Sequence, residues 1–189
     1  GLQLRAHSVR CRVMLFYTLF IIVILQRSAE LVLAKRNEKI LRRKGAVEYD
    51  HRGYTVIVIM HIVFLASFLS EYLLLSRKLN TLWFLFLMVF LSAQALRYWA
   101  IFSLGTRWNT KVLILPGTEL VTRGPYKYMK HPNYLAVAAE IVFLPLIFSC
   151  YYTSVIFGAL NFLALRRRIG VEERALGIGK PDREPAGGQ

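Results

Sequence analysis

Residues Tyr134–Arg174 read YLAVAAEIVFLPLIFSCYYTSVIFGALNFLALRRRIGVEER. Two apolar arms, 134–148 and 151–165, flank the short link Ser149-Cys150, and the basic triplet Arg166–Arg168 closes the second arm. Each arm has about 15 residues, roughly 22 Å of α-helix at 1.5 Å per residue. That length barely crosses the hydrocarbon of a bilayer. The pattern predicts a membrane-embedded helical hairpin, with Pro145 kinking its first arm. A hairpin returns the chain to the face it left. The residues before Tyr134 and those after Leu165 therefore meet at one membrane surface.

Three more apolar runs precede it. One spans Val13 to Leu25 and continues as an amphipathic helix through Ala34; the others are Tyr54 to Leu75 and Leu82 to Leu104. The last two have the ~20 residues a spanning helix needs. The expected fold is an all-α integral membrane protein with about five membrane-embedded helices, the last two forming the hairpin. The chain divides into residues 1–13, an N-terminal extension; 14–106, the N-terminal transmembrane helices; 107–176, the motif and hairpin; and 177–189, a flexible tail rich in Gly, Pro and charge.

Composition agrees. Hydrophobic residues make up 56% of the 189 and charged residues 19%, with a mean hydropathy of +0.42. A soluble domain of this size cannot hide so much apolar surface, and a disordered chain would not carry it. The net charge of +14 would suggest nucleic acid in a soluble protein. Here the basic residues lie between apolar runs, as in cytoplasmic loops, so no nucleic-acid partner is expected. Residues 35–53 hold seven Lys and Arg, 107–130 hold five and the tail from Arg166 holds six, whereas the alternate loops hold only Arg77 and Lys78. The rich regions are expected in the cytoplasm, with the C-terminus inside. Arg5, Arg10 and Arg12 run against that bias, and so residues 1–13 are read as an extension ahead of Met14. Cys11 and Cys150 form no metal or redox motif and are too few for a disulfide framework.

The segment 118–134, TELVTRGPYKYMKHPNY, is the most unusual. Gly124-Pro125 forces a turn. Pro132 falls in the first turn of the next helix, where a missing N–H costs little. That helix start offers N–H groups and a positive dipole end to an anionic group. His131, Tyr126, Tyr128 and Tyr134 add hydrogen-bonding groups and aromatic faces; the bland alternative is an interfacial aromatic and basic belt. In RRRIGVEER, 166–174, the arginines read as a positive flank, whereas Glu172 and Glu173 do nothing for topology. If the helix continues past Gly170, Asn161, Arg168 and Glu172 share one face. Topology alone then brings His131 and the tyrosines against Arg168 and Glu172.

Polar residues also lie within the apolar runs: Gln26, Arg27, Glu30, His61, Gln94 and Glu140. Such groups face the bundle interior. Glu140 has two readings of equal weight, a catalytic group or a buried partner of Arg97 or Arg27. Glu71 and Arg97 lie near helix ends, where they can snorkel to the interface.

At these segments the chain resembles the isoprenylcysteine carboxyl methyltransferase family. The residues that carry the likeness are Gly124-Pro125-Tyr126, Lys130-His131-Pro132-Asn133-Tyr134, the apolar hairpin, and Glu172-Glu173. It is strong over about 107–176 and looser over QRSAELVLAKRNEKILRRKGAVEY, which resembles short bacterial members of the alkylpyrone O-methyltransferase type. The resemblance implies an S-adenosylmethionine-dependent methyltransferase of the bacterial cell membrane without a Rossmann domain, its cofactor site at the cytoplasmic face. Carried over by position, the cofactor would touch Lys111, Thr118, Glu119, Leu120, Val121, Tyr126, His131, Pro132, Asn133, Tyr134, Glu172 and Glu173. Arg168 would face the substrate; His131 and, from its place inside the apolar run rather than from the resemblance, Glu140 are the other catalytic candidates, and no metal is implied. Lys130 stands where the family has Arg, which removes a planar bidentate donor. The tail lacks the aromatic, acidic extension of eukaryotic members.

The methyl acceptor would be a lipophilic molecule from the membrane, an isoprenylcysteine carboxylate or the acidic enol of an alkylpyrone. Such an oxygen is already ionised at pH 7 and needs no general base; an aliphatic alcohol would need one, and only His131 offers itself. Its attack on a sulfonium annihilates charge, which a dry site favours over water. Two rivals differ in class. A sterol-type membrane reductase using NADPH shares an HxNY-type motif before a final hairpin, but has a longer aromatic C-terminal stretch. A non-enzymatic scaffold predicts no cofactor binding.

Overall fold

The computed structural model describes residues 2–177, with side chains from residue 10 onward. The α-helices are α1 (Leu2–Arg43), α2 (His51–Leu74), α3 (Trp83–Leu104), α4 (Pro132–Ile147) and α5 (Tyr151–Ala175). Three helical segments, Arg10–Arg43, His51–Leu74 and Trp83–Arg107, are long and apolar enough to cross a membrane; the apolar helix Pro132–Ile147 is shorter. The chain is an integral membrane protein.

Four features depart from the sequence reading or sharpen it. The first run does not end near Ala34: α1 is one helix to Arg43, with no break at residue 13. α5 continues through Gly170 to Ala175, so the face shared by Arg168 and Glu172 exists. Pro145 falls in the last turn of α4, where it marks the helix end rather than bending its middle. The architecture also contains a two-stranded antiparallel sheet that the all-α expectation lacks. β1 (Val47–Tyr49) pairs with β2 (Val112–Ile114) in the register Val47 to Ile114 and Tyr49 to Val112. Three-residue strands carry too little periodicity to announce themselves. The proposed tail, 178–189, lies outside the described residues.

One end of the bundle is an aromatic core. Phe16 of α1 stacks on Tyr72 of α2 at 3.6 Å between ring centroids and 4° between planes, with Phe148 edge-on at 5.0 Å. Beside it Glu71 caps α5, accepting from the Thr153 N–H and hydroxyl, both at 2.7 Å, and pairing with Arg77 at 2.9 Å. Glu71 therefore does not snorkel; the first N–H groups of α5 need an acceptor in a dry setting.

Mid-bundle, α1, α3 and α4 meet through a closed ionic cluster. Glu140, 2% exposed, is hydrogen-bonded by Arg27, by Arg97 at 2.7 Å and by Gln94 at 2.9 Å. Glu30 pairs with Arg27 and Arg97, each at 2.9 Å, and Gln26 donates to Gln94 at 2.7 Å. Two arginines thus face two carboxylates, and the cluster is neutral. Arg97 is buried rather than snorkelling, because an unpaired charge at this depth would cost several kcal/mol. α4 and α5 lie side by side from Tyr134 against Arg168 to Val142, whose carbonyl accepts from the Ser154 hydroxyl at 2.8 Å.

Candidate functional site

At the opposite end from the aromatic core, the segment 105–131 folds over the tips of α1, α3 and α5. Gly124 takes a left-handed φ of 62° against α3, where an added Cβ would lie 1.9 Å from the Ser103 hydroxyl oxygen. Only glycine meets both demands. Pro125 is buried in the 3-10 turn Gly124–Lys127, which carries Tyr126. His131 then forms the N-cap of α4 and Pro132 its first residue. The Tyr134 and Leu135 N–H groups both bond the His131 carbonyl, which leaves the Asn133 N–H at the open, positive end of the helix.

α5 supplies the facing wall. Tyr134 Oη donates to Glu172 Oε2 at 2.5 Å and accepts from Arg168 Nε at 2.9 Å. Arg168 Nη2 donates to the Thr110 carbonyl at 2.5 Å. The His131 and Tyr134 rings stack at 5.3 Å, and His131 lies 3.8 Å from Glu172 and 3.4 Å from Glu173. The start of α4, the end of α5 and the loop before β2 are thereby locked together.

His131, Asn133, Tyr134, Arg168 and Glu172 line a cavity of about 430 Å³, within the usual range for small-molecule sites. Of the residues singled out in the sequence, Lys111, Thr118, Glu119, Leu120, Val121, Tyr126, His131, Asn133, Tyr134, Arg168 and Glu172 all line it. Pro132 and Glu173 do not: Pro132 is buried behind the helix start, and Glu173 reaches the site only through His131. Glu140 is absent from the lining too. It sits eight residues beyond Pro132, about 12 Å by helical rise, inside the ionic cluster.

Lys111 enters the cavity wall as part of a second ionic network. Its Nζ lies 2.9 Å from Glu38 and 3.6 Å from Glu48, and Arg42 pairs with both carboxylates. Burial alone would lower the Lys111 ammonium, but its hydrogen bond to Glu38 and the two carboxylate charges raise it above its ordinary value. Tyr126 is pushed well above the ordinary phenol range by burial, with the Glu172 charge adding to it, so it enters any chemistry as the neutral donor. Asn133 Oδ1 and Trp108 Nε1, both on lining residues, are buried without a hydrogen-bond partner among the described residues.

Among the wall residues that the sequence reading missed, Arg107, Trp108 and Asn109 sit just after α3. Trp108 is 2% exposed; its carbonyl accepts from Asn37 at 2.7 Å, and Asn109 donates to the Ala34 carbonyl at 2.9 Å. Arg107 donates to the Glu119 carbonyl at 2.7 Å. A Trp-Asn pair following a long apolar run was the available signal, but an interfacial anchor looks the same in sequence.

The fold and the site together define a helical membrane protein with a cavity at one end of its bundle, its wall carrying both apolar and charged side chains. The sequence pattern of the isoprenylcysteine carboxyl methyltransferase family matches residues 84–178, and the chain belongs to that family, whose members are membrane methyltransferases. It is 44% identical over 162 residues to YpbQ, an uncharacterized protein of Bacillus subtilis (strain 168), covering 86% of this chain and 96% of that one. It is 30% identical over 165 residues to an uncharacterized protein of Haemophilus influenzae, with the same coverage. No solved structure matches the chain.

Proposed function

We propose that this protein is an S-adenosylmethionine-dependent O-methyltransferase of the bacterial cell membrane, acting on a carboxylate or acidic enol of a lipophilic acceptor. The observation that carries the reading is the Arg168–Tyr134–Glu172 chain of hydrogen bonds, which ties the start of α4 to the end of α5 in the wall of the cavity. One cavity thus offers a carboxylate, a guanidinium and a helix N-terminus. These suit an ammonium or ribose, an anionic oxygen and a carboxylate in turn.

The residues fit the cofactor. Asn133 Oδ1 is a buried acceptor with no donor among the described residues, and such a group costs about 1–3 kcal/mol until it is satisfied. An amine on the ligand would satisfy it. Glu172 would hold the ammonium or ribose, while His131 and the Asn133 N–H would hold the carboxylate. The cofactor supplies a methyl group on a sulfonium. Arg168 would orient the acceptor oxygen, and the protein would exclude water from it. An acceptor already ionised at pH 7 asks for no proton transfer, and the neutral Tyr126 is suited to donate a hydrogen bond rather than to take a proton.

The same reading places the cavity on the cytoplasmic side, where the Lys and Arg of the loops accumulate. The decisive experiment is calorimetric titration of S-adenosylmethionine into the detergent-purified protein and its Glu172→Ala variant. Saturable binding that the variant loses is the expected result; a folded wild type that does not bind overturns the proposal. Lipid extracts of cells with and without the gene then identify the acceptor by its missing methyl ester or ether.

A further inference from the structure

The C-terminal half of α1, on the cavity side of the bundle, has two unlike faces. Ala34, Asn37 and Leu41 are buried against the loop that carries Trp108. The other face changes character at one level. Val32, 69% exposed, and Leu33 end the exposed apolar surface, and the next exposed side chains are Lys35 and Arg36, followed by Lys39 and Arg43. Arg36, Lys39 and Arg43 recur at i, i+3 and i+7, so they form one stripe. None of them has a carboxylate within ion-pair distance among the described residues, whereas their neighbours Arg42 and Lys111 are neutralised by Glu38 and Glu48.

The same transition occurs on α5. Phe162 and Leu163 are exposed, and Arg166 follows, its guanidinium 5.6 Å above the Phe162 ring. Two separate helices thus pass from lipid-facing apolar residues to basic ones. The stripe from Lys35 to Arg43 then rises about 12 Å beyond that boundary, across a headgroup layer of roughly 5–8 Å and a little past it. Positive charge at a loop sets topology, but it needs neither a stripe nor freedom from carboxylates.

We propose that Lys35, Arg36, Lys39 and Arg43 form a binding surface for the phosphate headgroups of anionic phospholipids in the leaflet on the cavity side. Unpaired guanidinium and ammonium groups at this depth meet lipid phosphates directly, and Arg can do so bidentately. The opposite face of the same helix holds the cavity wall through Asn37, Glu38 and the Ala34 carbonyl. The leaflet assignment rests on the orientation given under the proposed function; the lipid binding does not rest on the methyltransferase activity.

The test is native mass spectrometry of the detergent-purified full chain mixed with phosphatidylglycerol or with phosphatidylcholine. The variants are the triple substitution Arg36→Gln, Lys39→Gln, Arg43→Gln, and Lys78→Gln at the far end of the bundle. We expect the wild type to retain phosphatidylglycerol over phosphatidylcholine by at least tenfold at low salt, with about fivefold expected per basic residue near the headgroup. The triple variant should lose that preference, Lys78→Gln should keep it, and salt should weaken it. Equal retention of the two lipids by the wild type, or an unchanged preference in a triple variant that keeps its helical circular dichroism, overturns the proposal. A triple variant that loses its helicity is replaced by the three single substitutions, which are judged by the same criterion. S-adenosylmethionine titration of the same wild-type sample keeps the two proposals separate, since lipid preference without cofactor binding sinks only the enzymatic one.

Discussion

Tyr134 Oη donates to Glu172 Oε2 at 2.5 Å, joining the first turn of α4 to the last turns of α5 across 38 residues of chain. The same hydroxyl accepts from Arg168, so a single phenol holds a carboxylate and a guanidinium apart and in place. A charged pair in direct contact would neutralise itself; with the phenol between them, both charges remain available to a ligand.

Tyr134→Phe keeps the ring against His131 and removes only the hydroxyl. Glu172 loses a donor and Arg168 Nε an acceptor, a loss of ~1–3 kcal/mol for groups this enclosed. Calorimetry should show S-adenosylmethionine binding weakened about tenfold, with the helical circular dichroism unchanged. Unaltered affinity would mean that Glu172 needs no help from Tyr134 to keep its orientation.

Gly124→Ala confronts both the left-handed backbone and Ser103, whose Cβ would lie 2.8 Å from the new methyl. Rotating the hydroxyl away cannot relieve that second contact. The expected loss is ~1–3 kcal/mol, seen as a lower Tm and weaker cofactor binding, since the displaced turn carries Tyr126. Ser103→Gly in the same chain should restore part of the Tm; a single variant as stable as wild type would contradict the packing described.

Glu140→Gln separates the two readings of that residue. Removing the carboxylate leaves Arg27 and Arg97 competing for Glu30, a net positive charge in the bundle, and ~3–5 kcal/mol is the usual cost of breaking a buried pair. Thermal unfolding should therefore move sharply down. Cofactor affinity per folded molecule should stay within about threefold of wild type, because 1.4 kcal/mol would already be tenfold and Glu140 lies outside the cavity. A selective loss of affinity at unchanged Tm would instead return Glu140 to the site.

The Glu48–Lys111 network gives stability a window in pH. For Glu48, burial favours the neutral acid, but its hydrogen bonds to His51 and Arg42 and the Lys111 and Arg42 charges outweigh it, so its folded value lies below the ordinary one. Its contribution is present above the unfolded carboxylate value and is lost as pH falls through the folded one. Lys111 is raised. Its contribution is complete below the unfolded ammonium value and disappears as pH climbs through the folded one. Tm measured across pH should fall at both ends, and Lys111→Met should flatten the alkaline limb. A variant whose alkaline limb matches wild type would show that Lys111 carries none of it.

The sequence by itself determined the membrane setting, the existence of five helices with the approximate limits of α2, α3 and α4, and the meeting of the two motif segments at one end. Each follows from properties that survive without tertiary contacts: runs of apolar residues long enough for a bilayer, Gly-Pro and Lys-His-Pro punctuation, and the length of two arms joined by a short link. The tertiary structure decided the rest. Glu140 and Arg97 are indistinguishable in sequence from site residues or interfacial ones, and only the convergence of α1, α3 and α4 pairs them. Gly170 carries no sequence mark that says whether a helix stops there; α5 passes through it because Arg168 and Glu172 find Tyr134 on the neighbouring helix. The sheet between 47–49 and 112–114 and the Asn37 clasp on Trp108 join residues more than 60 positions apart. Such pairings are selected by the geometry of the folded bundle, and no local preference announces them.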